Sequence, residues 1–380
     1  MATLSEKIRL LQGLHNGKAA STPPFFVTMD LTRRCNLRCF GCRYHSPDRL
    51  ISPRGDMVTQ DFPLELFQKV SAELKALGTR SLCLSGEGEP FCHPQLLDFV
   101  SLAKKAGLHL VLLTNGTLLD ESTIKSLVAL RLDVLKVSLW ANSPKEYERS
   151  YPGADPKNFH RVLAGLKYLA GVKAAHQTRL PSVVLHQPVT RNNFQDIPAL
   201  VDLALDSGCD GLSFSPFKTR RGQFAAGALS PDEERSFCLT LAQMRKGLQA
   251  VFVDPGVDQI LRRFRLGEAV WEKLPCYIGW LQAYLKVDGT VLPCGDCRLE
   301  MGNVNDNSLQ EIWNGPAYRA FRRQTRTRAG LLALSRHCDC AFCCHVLDNA
   351  RVHRFFRWIA PLCPADPSPE GYGEDSCART

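Results

Sequence analysis

The sequence predicts an α/β fold: an open, partial (βα)6 barrel followed by a small α+β annex. Three observations predict it. Strand-like apolar runs alternate with amphipathic helical stretches six times in about 225 residues. After about residue 250 that rhythm stops. The chain also holds 16 cysteines in 380 residues, and seven of them stand in two tight knots, one on each side of that change.

Residues 1–24 read as a short helix and a linker. Leu4, Ile8 and Leu11 share a face, Asn16-Gly17 ends the helix, and Thr22-Pro23-Pro24 is extended. Strands are expected at 25–32, 81–85, 109–114, 133–139, 182–189 and 211–217. Helices are expected near 62–77, 95–106, 120–130, 158–171, 195–207 and 231–249. Strand followed by helix, repeated, implies a parallel sheet with right-handed crossovers. Six units are too few for a closed eight-fold barrel and suit an open one, with ligands at the C-terminal strand ends. The barrel is expected over 25–250, a linker helix over 251–275 and the annex over 276–360. A disordered tail rich in Pro, Gly and acidic residues is expected over 361–380. In the annex, 282–294 reads as a hairpin turning at Asp288-Gly289, Asn307 to Arg323 as helical, and 346–359 as a basic helix.

Composition excludes several classes. The chain is 44% apolar and 22% charged, an ordinary globular balance, with a net charge of +9. No apolar run reaches the roughly 20 residues of a membrane span. Met1 to Pro24 lacks the apolar core and cleavage site of a signal peptide. A cytoplasmic protein without membrane contact is expected, and there cysteine clusters serve metals rather than disulfides.

The first knot is Cys35-Asn-Leu-Arg-Cys39-Phe-Gly-Cys42, placed directly after the first strand. Three thiolates on one loop can hold three irons of a cubane and leave the fourth iron open for chemistry. A zinc site with a distant fourth ligand is the competing reading. The CxxxCxxC spacing at this place resembles the radical S-adenosylmethionine (SAM) superfamily over residues 25–250. The resemblance implies a [4Fe–4S] cluster on Cys35, Cys39 and Cys42, with SAM bound to the open iron. The family usually has an aromatic before the third cysteine. Here Gly41 stands there and Phe40 comes one earlier; since that contact runs through the backbone, Gly41 is expected to serve. Ser85-Gly-Glu-Gly-Glu-Pro90 resembles the family's GGEP segment, which implies SAM contacts from Gly88 and Glu89, with Glu87 beside them. Thr114-Asn115-Gly116 resembles the TNG turn and implies Asn115. The resemblance also implies Ser138 on the fourth strand, where Lys136, Ser138 and Trp140 share a face. It implies Asn193 after the fifth, with Arg191 and Asn192 as rivals, and Ser215 beside Pro216 on the sixth. Lys218, Arg220 and Arg221 could dock an anionic substrate or form a solvated face.

In the second cysteine set, twelve residues separate Cys276 from Gly289, and four separate Gly289 from Cys294. That spacing, with the Met301–Trp313 stretch, resembles the SPASM or twitch annex of a subset of radical SAM enzymes. Cys340 and Cys343 supply its CxxC. Six residues after Cys343, where a full SPASM pattern has its next ligand, stands Asn349. The shorter twitch pattern fits instead, which implies one auxiliary [4Fe–4S] cluster on Cys276, Cys294, Cys340 and Cys343. Cys297, Cys338, Cys344 and Cys363 have no role in that pattern and leave a second auxiliary cluster open. Cys83, Cys92, Cys209, Cys238 and Cys377 read as non-ligands.

The resemblance implies reductive cleavage of SAM to a 5′-deoxyadenosyl radical, hydrogen abstraction from substrate, and a low-potential electron donor such as flavodoxin or ferredoxin. An auxiliary cluster ligated fully by cysteine points to a two-electron oxidation. Only 34 residues precede Cys35, too few for the winged-helix peptide-binding domain of many relatives. The expected substrate is therefore a small polar metabolite (a sugar, an aminocyclitol or a nucleotide-linked compound), and a peptide or protein is the alternative. A non-catalytic iron–sulfur or RNA-binding protein is the third reading. The chain shows no interleaving of basic and stacking aromatic residues, so nucleic acid is not an expected partner.

Overall fold

A computed structural model describes residues 3–48, 60–217, 224–245, 248, 252–254, 256–266, 270–340 and 343–359. Six parallel strands form the barrel wall: β1 (Phe26–Asp30), β2 (Ser81–Ser85), β3 (His109–Thr114), β4 (Val134–Ser138), β5 (Ser182–Val189) and β6 (Gly211–Pro216). The strands alternate: Leu82, Leu84, Leu110, Leu112, Leu135 and Val137 are fully buried under the helices, and their half-buried neighbours Cys83, Leu113, Lys136 and Ser138 face the other way.

The helices follow the expected order. α1 (Leu4–Asn16) precedes the barrel. α2 (Leu64–Leu77), α3 (Leu96–Lys105), α4 (Glu121–Ala129), α5 (Pro144–Ser150), α6 (Lys157–Ala175), α7 (Ile197–Asp206) and α8 (Pro231–Gln243) cross over between strands. Their ends are marked in the sequence. Gly78 caps α2 in the left-handed region, Asp120 caps α4, and Ser230 with Glu233 closes a capping box on α8. The short α5 was not expected; Ser143 caps it and Pro144 opens it.

Two expectations change here. α1 turns a different face inward. Leu4 and Ile8 are 75% and 47% exposed, while Gly13 and Leu14 are buried. Gly13 lets the helix lie against Trp280, which a Cβ at position 13 would meet at 3.3 Å. The stretch expected as a linker helix begins with a strand, β7 (Phe252–Asp254), paired in parallel with β6. α9 (Val257–Leu266) and α10 (Val270–Lys273) follow it.

The annex is joined to the barrel through the sheet. β8 (Gln282–Leu285) pairs in parallel with β1 and turns at Gly289 (φ +83°) into β9 (Thr290–Leu292), and β10 (Gly302–Asn303) completes the edge. The ten strands run β10-β9-β8-β1-β2-β3-β4-β5-β6-β7. α11 (Leu309–Trp313), α12 (Pro316–Thr325), α13 (Arg328–Leu334) and α14 (Val346–Ile359) pack around that extension. Arg322 of α12 is fully buried and clamps the N-terminal segment to the annex. It donates to Gly279 O at 2.7 Å, Trp313 O at 2.7 Å and Lys18 O at 3.3 Å, and lies over the Trp313 ring at 4.6 Å. No helix among the described residues is long and apolar enough to cross a membrane.

Candidate active site

The loop after β1 carries Cys35, Cys39 and Cys42 to the C-terminal end of the barrel strands. Together with the β2 and β3 loops they line a cavity of about 230 Å3. Gly41, Gly88, Glu89, Asn115 and Ser138 line the same cavity. The loops are locked to one another. Glu89 Oε1 accepts from Thr114 Oγ1 at 2.7 Å and its Oε2 from the Asn115 N–H at 2.7 Å. Asn115 Nδ2 donates to Asn36 Oδ1 at 2.8 Å, and Asn36 Nδ2 to Thr117 Oγ1 at 2.7 Å. Burial pushes the Glu89 carboxyl up to about 7, against the three donors that face it. Gly88 has no room for a side chain: a Cβ there would lie 2.1 Å from Arg34 O. The glycine is required by the crossing of the β2 loop against the cysteine loop, a contact distinct from the SAM approach that the GGEP resemblance implied.

Gly41 has a local explanation. A Cβ at that position would lie 2.4 Å from the Phe217 ring and 3.3 Å from Trp140. Phe217, just beyond β6, stacks on Phe40 at 5.2 Å, and Trp140 meets Phe40 edge-on at 5.7 Å. The aromatic surface exists, but it comes from the far end of the barrel, so a glycine is what fits beneath it.

Three lining groups went unnoticed in the sequence as parts of this cavity: His45, Leu113 and Tyr151. The backbone N–H of His45 donates to Cys42 Sγ at 3.4 Å. The Tyr151 hydroxyl accepts from Trp140 N at 2.9 Å and donates to Ser138 O at 3.2 Å. Its place could be found only from α5, which sequence periodicity did not show. Two expected residues are elsewhere. Asn193 spends its side chain on its own loop, accepting from the Thr190 N–H at 2.7 Å and donating to Pro188 O at 3.0 Å. Ser215 faces His186 Nε2 at 3.4 Å. Neither lines the cavity. Lys218, Arg220 and Arg221 lie outside the described residues.

Two thiols of the first loop, Cys35 and Cys39, are set against ionisation. Burial pushes Cys35 up to about 12, and burial followed by repulsion from Cys42 and Cys35 pushes Cys39 well above the thiol range. Thiols this disfavoured as free anions become good ligands once a cationic group sits among them. No group of three thiol, imidazole or carboxylate side chains among the described residues converges on a point that would hold a single ion. Three thiols on one eight-residue loop are one donor short of a closed tetrahedral zinc site and match a cubane whose fourth iron takes another ligand.

The second set gathers at the far edge of the sheet. Cys276, Cys294 and the Cys340–Cys343 pair come together from three separate stretches of the annex, and Cys344 joins them. Burial is the first cause raising each of the four, with the neighbouring thiols adding to it; Cys276 is pushed up to about 11. Cys344 Sγ donates to Asp296 Oδ2 at 3.2 Å. Cys297 and Cys338 stand opposite each other in an antiparallel bridge and form a disulfide, which departs from the expectation that no disulfide would occur. Asn349 accepts from the Tyr277 N–H at 2.7 Å and points its amide at Cys343 Sγ, 3.7 Å away. Cys363 and Cys377 lie outside the described residues.

Family profiles match on both cysteine regions. One described as the radical SAM superfamily covers residues 29–204, and one described as the SPASM iron–sulfur cluster-binding domain covers 276–350. The chain belongs to the radical SAM superfamily. It is a SPASM-type radical SAM enzyme and uses SAM with [4Fe–4S] clusters. It is 26% identical over 340 residues to an AdoMet-dependent heme synthase of Methanosarcina barkeri, covering 84% of this chain and 91% of the relative. It is 29% identical over 313 residues to a PqqA peptide cyclase of Ruegeria pomeroyi, covering 79% and 76%. In fold it is similar to Streptococcus suis SuiB bound to S-adenosylmethionine, with a TM-score of 0.66 at 17% identity over 98% of this chain and 80% of that one.

Proposed function

We propose that this radical SAM enzyme modifies a peptide or protein. The observation that carries the reading is the set of PqqA peptide cyclases from several bacteria, 27–29% identical, whose likeness spans 79% of the chain. These relatives favour a peptide over the small polar metabolite expected from the sequence. A tetrapyrrole is the second reading, supported by the heme synthase relative with its wider coverage.

In this reading Cys35, Cys39 and Cys42 hold the SAM-binding cluster, and Cys276, Cys294, Cys340 and Cys343 hold one auxiliary cluster. When bound, the first group supplies reductive cleavage of SAM to a radical that removes a hydrogen atom from substrate. The chain's own residues position and enclose. Gly88 lets the β2 loop cross close to Arg34 of the cysteine loop while lining the cavity, and Asn115 and Ser138 offer polar contacts on the facing strands. Trp140, Tyr151 and Phe217 wall off water on the β4–β6 side. Arg43, next to Cys42, donates to Gly295 O at 2.9 Å, next to Cys294, so the two ligand loops are fixed to each other. Asn349 occupies the next SPASM ligand position with an amide, which supports a single auxiliary cluster.

The test is anaerobic reconstitution with dithionite, SAM and short peptides encoded beside the gene, read by mass spectrometry. A peptide that loses hydrogen while 5′-deoxyadenosine accumulates is the expected result. Turnover of a porphyrin but no peptide would transfer the reading to the tetrapyrrole. Absence of 5′-deoxyadenosine under all conditions would sink the assignment of Cys35, Cys39 and Cys42.

A further inference from the structure

The positive charge of this chain is concentrated. Between residues 316 and 359 stand nine arginines against two aspartates, with no lysine or glutamate, so this stretch carries +7 of the chain's +9. Arg319 and Arg323 are four residues apart, share one face of α12 and are exposed. Arg328 at the start of α13 is exposed, as are Arg298 and Arg336 on the loops that leave and enter the second cysteine set. The Arg298 N–H donates to His337 O at 3.0 Å, which brings those two loops together. Arg298, Arg319, Arg323 and Arg328 make no ion pair among the described residues.

The opposite side of α12 is buried against the auxiliary thiols. The Cys276 N–H donates to Thr325 O at 3.0 Å. Tyr318 donates to Leu292 O at 3.3 Å, two residues before Cys294. The arginine face therefore lies about one helix diameter, roughly 10–12 Å, from the cysteine set.

We propose that this arginine face docks an acidic one-electron carrier protein and holds its redox group one helix thickness from Cys276 and Cys294. The inference rests on the auxiliary-cluster reading above. One electron passes from the reduced carrier, which is oxidised, to the protein-bound cluster, which is reduced, and no bond forms or breaks. Charge complementarity suits a partner that must arrive and leave in every cycle, because it raises the on-rate without demanding a large buried interface. A peptide substrate has to reach the cavity beside Cys35 and Trp140, which is not this face.

The holoenzyme is mixed anaerobically with a reduced, strongly acidic flavodoxin, and bleaching of the clusters is followed by stopped flow. Arg319→Glu/Arg323→Glu is expected to slow the carrier-driven rate about tenfold at low salt. Wild type is expected to fall toward the variant's rate in about 0.3 M salt. Reduction of the same variant by dithionite is expected to be unchanged. Arg351→Glu/Arg354→Glu on α14 alters net charge equally and is expected to stay within about twofold of wild type. Equal rates for wild type and the α12 variant would overturn the proposal, as would equal losses in both double variants or a matching loss with dithionite. Failure of dithionite to bleach even the wild type would overturn the cluster reading, and the docking proposal with it.

Discussion

The two cysteine regions solve the same problem of ligation in opposite ways. The first takes its three thiols from eight consecutive residues and opens them onto a cavity with polar and aromatic walls. The second draws its thiols from stretches 18, 46 and three residues apart and packs them behind α12 and α14, where Asn349 and Cys344 fill the space between them. In the function proposed above, the difference separates two kinds of work. A site that must admit SAM and substrate needs a missing ligand and a cavity. A site that only passes electrons needs full ligation and close packing, and its distance from the substrate matters more than its access.

The largest expected effect tests the open site. Replacing Cys35, Cys39 and Cys42 with Ala is expected to bring 5′-deoxyadenosine formation below detection while about half of the bound iron remains. Chromatography and iron analysis check the two halves of that statement. Loss of all iron would mean that the annex cannot load without the barrel, and the contrast between the regions would shrink.

The converse variant, Cys276→Ala/Cys340→Ala, is expected to lose about half of the iron and to keep 5′-deoxyadenosine formation within about tenfold of wild type. Modification of the substrate should stop. That uncoupling is the kinetic signature of a closed, electron-passing site. If SAM cleavage vanished along with it, the second set would be part of the first reaction step.

How much of this was readable in the sequence follows the same division. The strands and crossover helices were legible because apolar alternation and helix caps are local signals. The first cysteine loop was legible for the same reason. The origin of Gly41 was not, because its constraint is Phe217, which stands 176 positions later. The pairing of β8 with β1 was equally out of reach, since a parallel partner leaves no turn signature. Cys297 and Cys338 could not be paired from spacing, because 41 residues separate them. Asn193 and Ser215 were placed by family resemblance. The structure spends their polar atoms on a loop turn and on His186, contacts that spacing alone does not reveal.

Gly41 allows a smaller test on the open site. Gly41→Ala forces a Cβ to within 2.4 Å of Phe217, and either the ring or the cysteine loop must move. A cost of about 1–3 kcal/mol is expected, as for other overpacked sites, and SAM affinity should fall with it. Phe217→Ala removes the clash. In a double-mutant cycle the coupling between positions 41 and 217 should therefore recover most of that cost. Additive effects would show that Gly41 is required for a reason other than the aromatic lid.

The smallest effect concerns the seam where the two regions meet. Asp30, on β1, is fully buried, and its Oδ1 accepts from the Tyr284 hydroxyl of β8 at 2.6 Å. Its Oδ2 has no hydrogen-bond partner among the described residues. Burial raises this carboxyl to about 7 from an ordinary 3.8, with Tyr284 pulling the other way. Between those two values the folded protein holds a proton that the unfolded chain releases, so the contribution of Asp30 to stability falls as pH rises from about 4 to 7. Each pH unit across that window is worth up to about 1.4 kcal/mol for a single proton. Asp30→Asn cannot titrate and should lack this slope, while the parallel slope from Glu89 remains in both proteins. Denaturant midpoints of wild type and variant at pH 4.5, 6 and 7.5 should therefore converge or cross in favour of the variant as pH rises. A constant difference would mean that the seam takes up water and leaves Asp30 ionised.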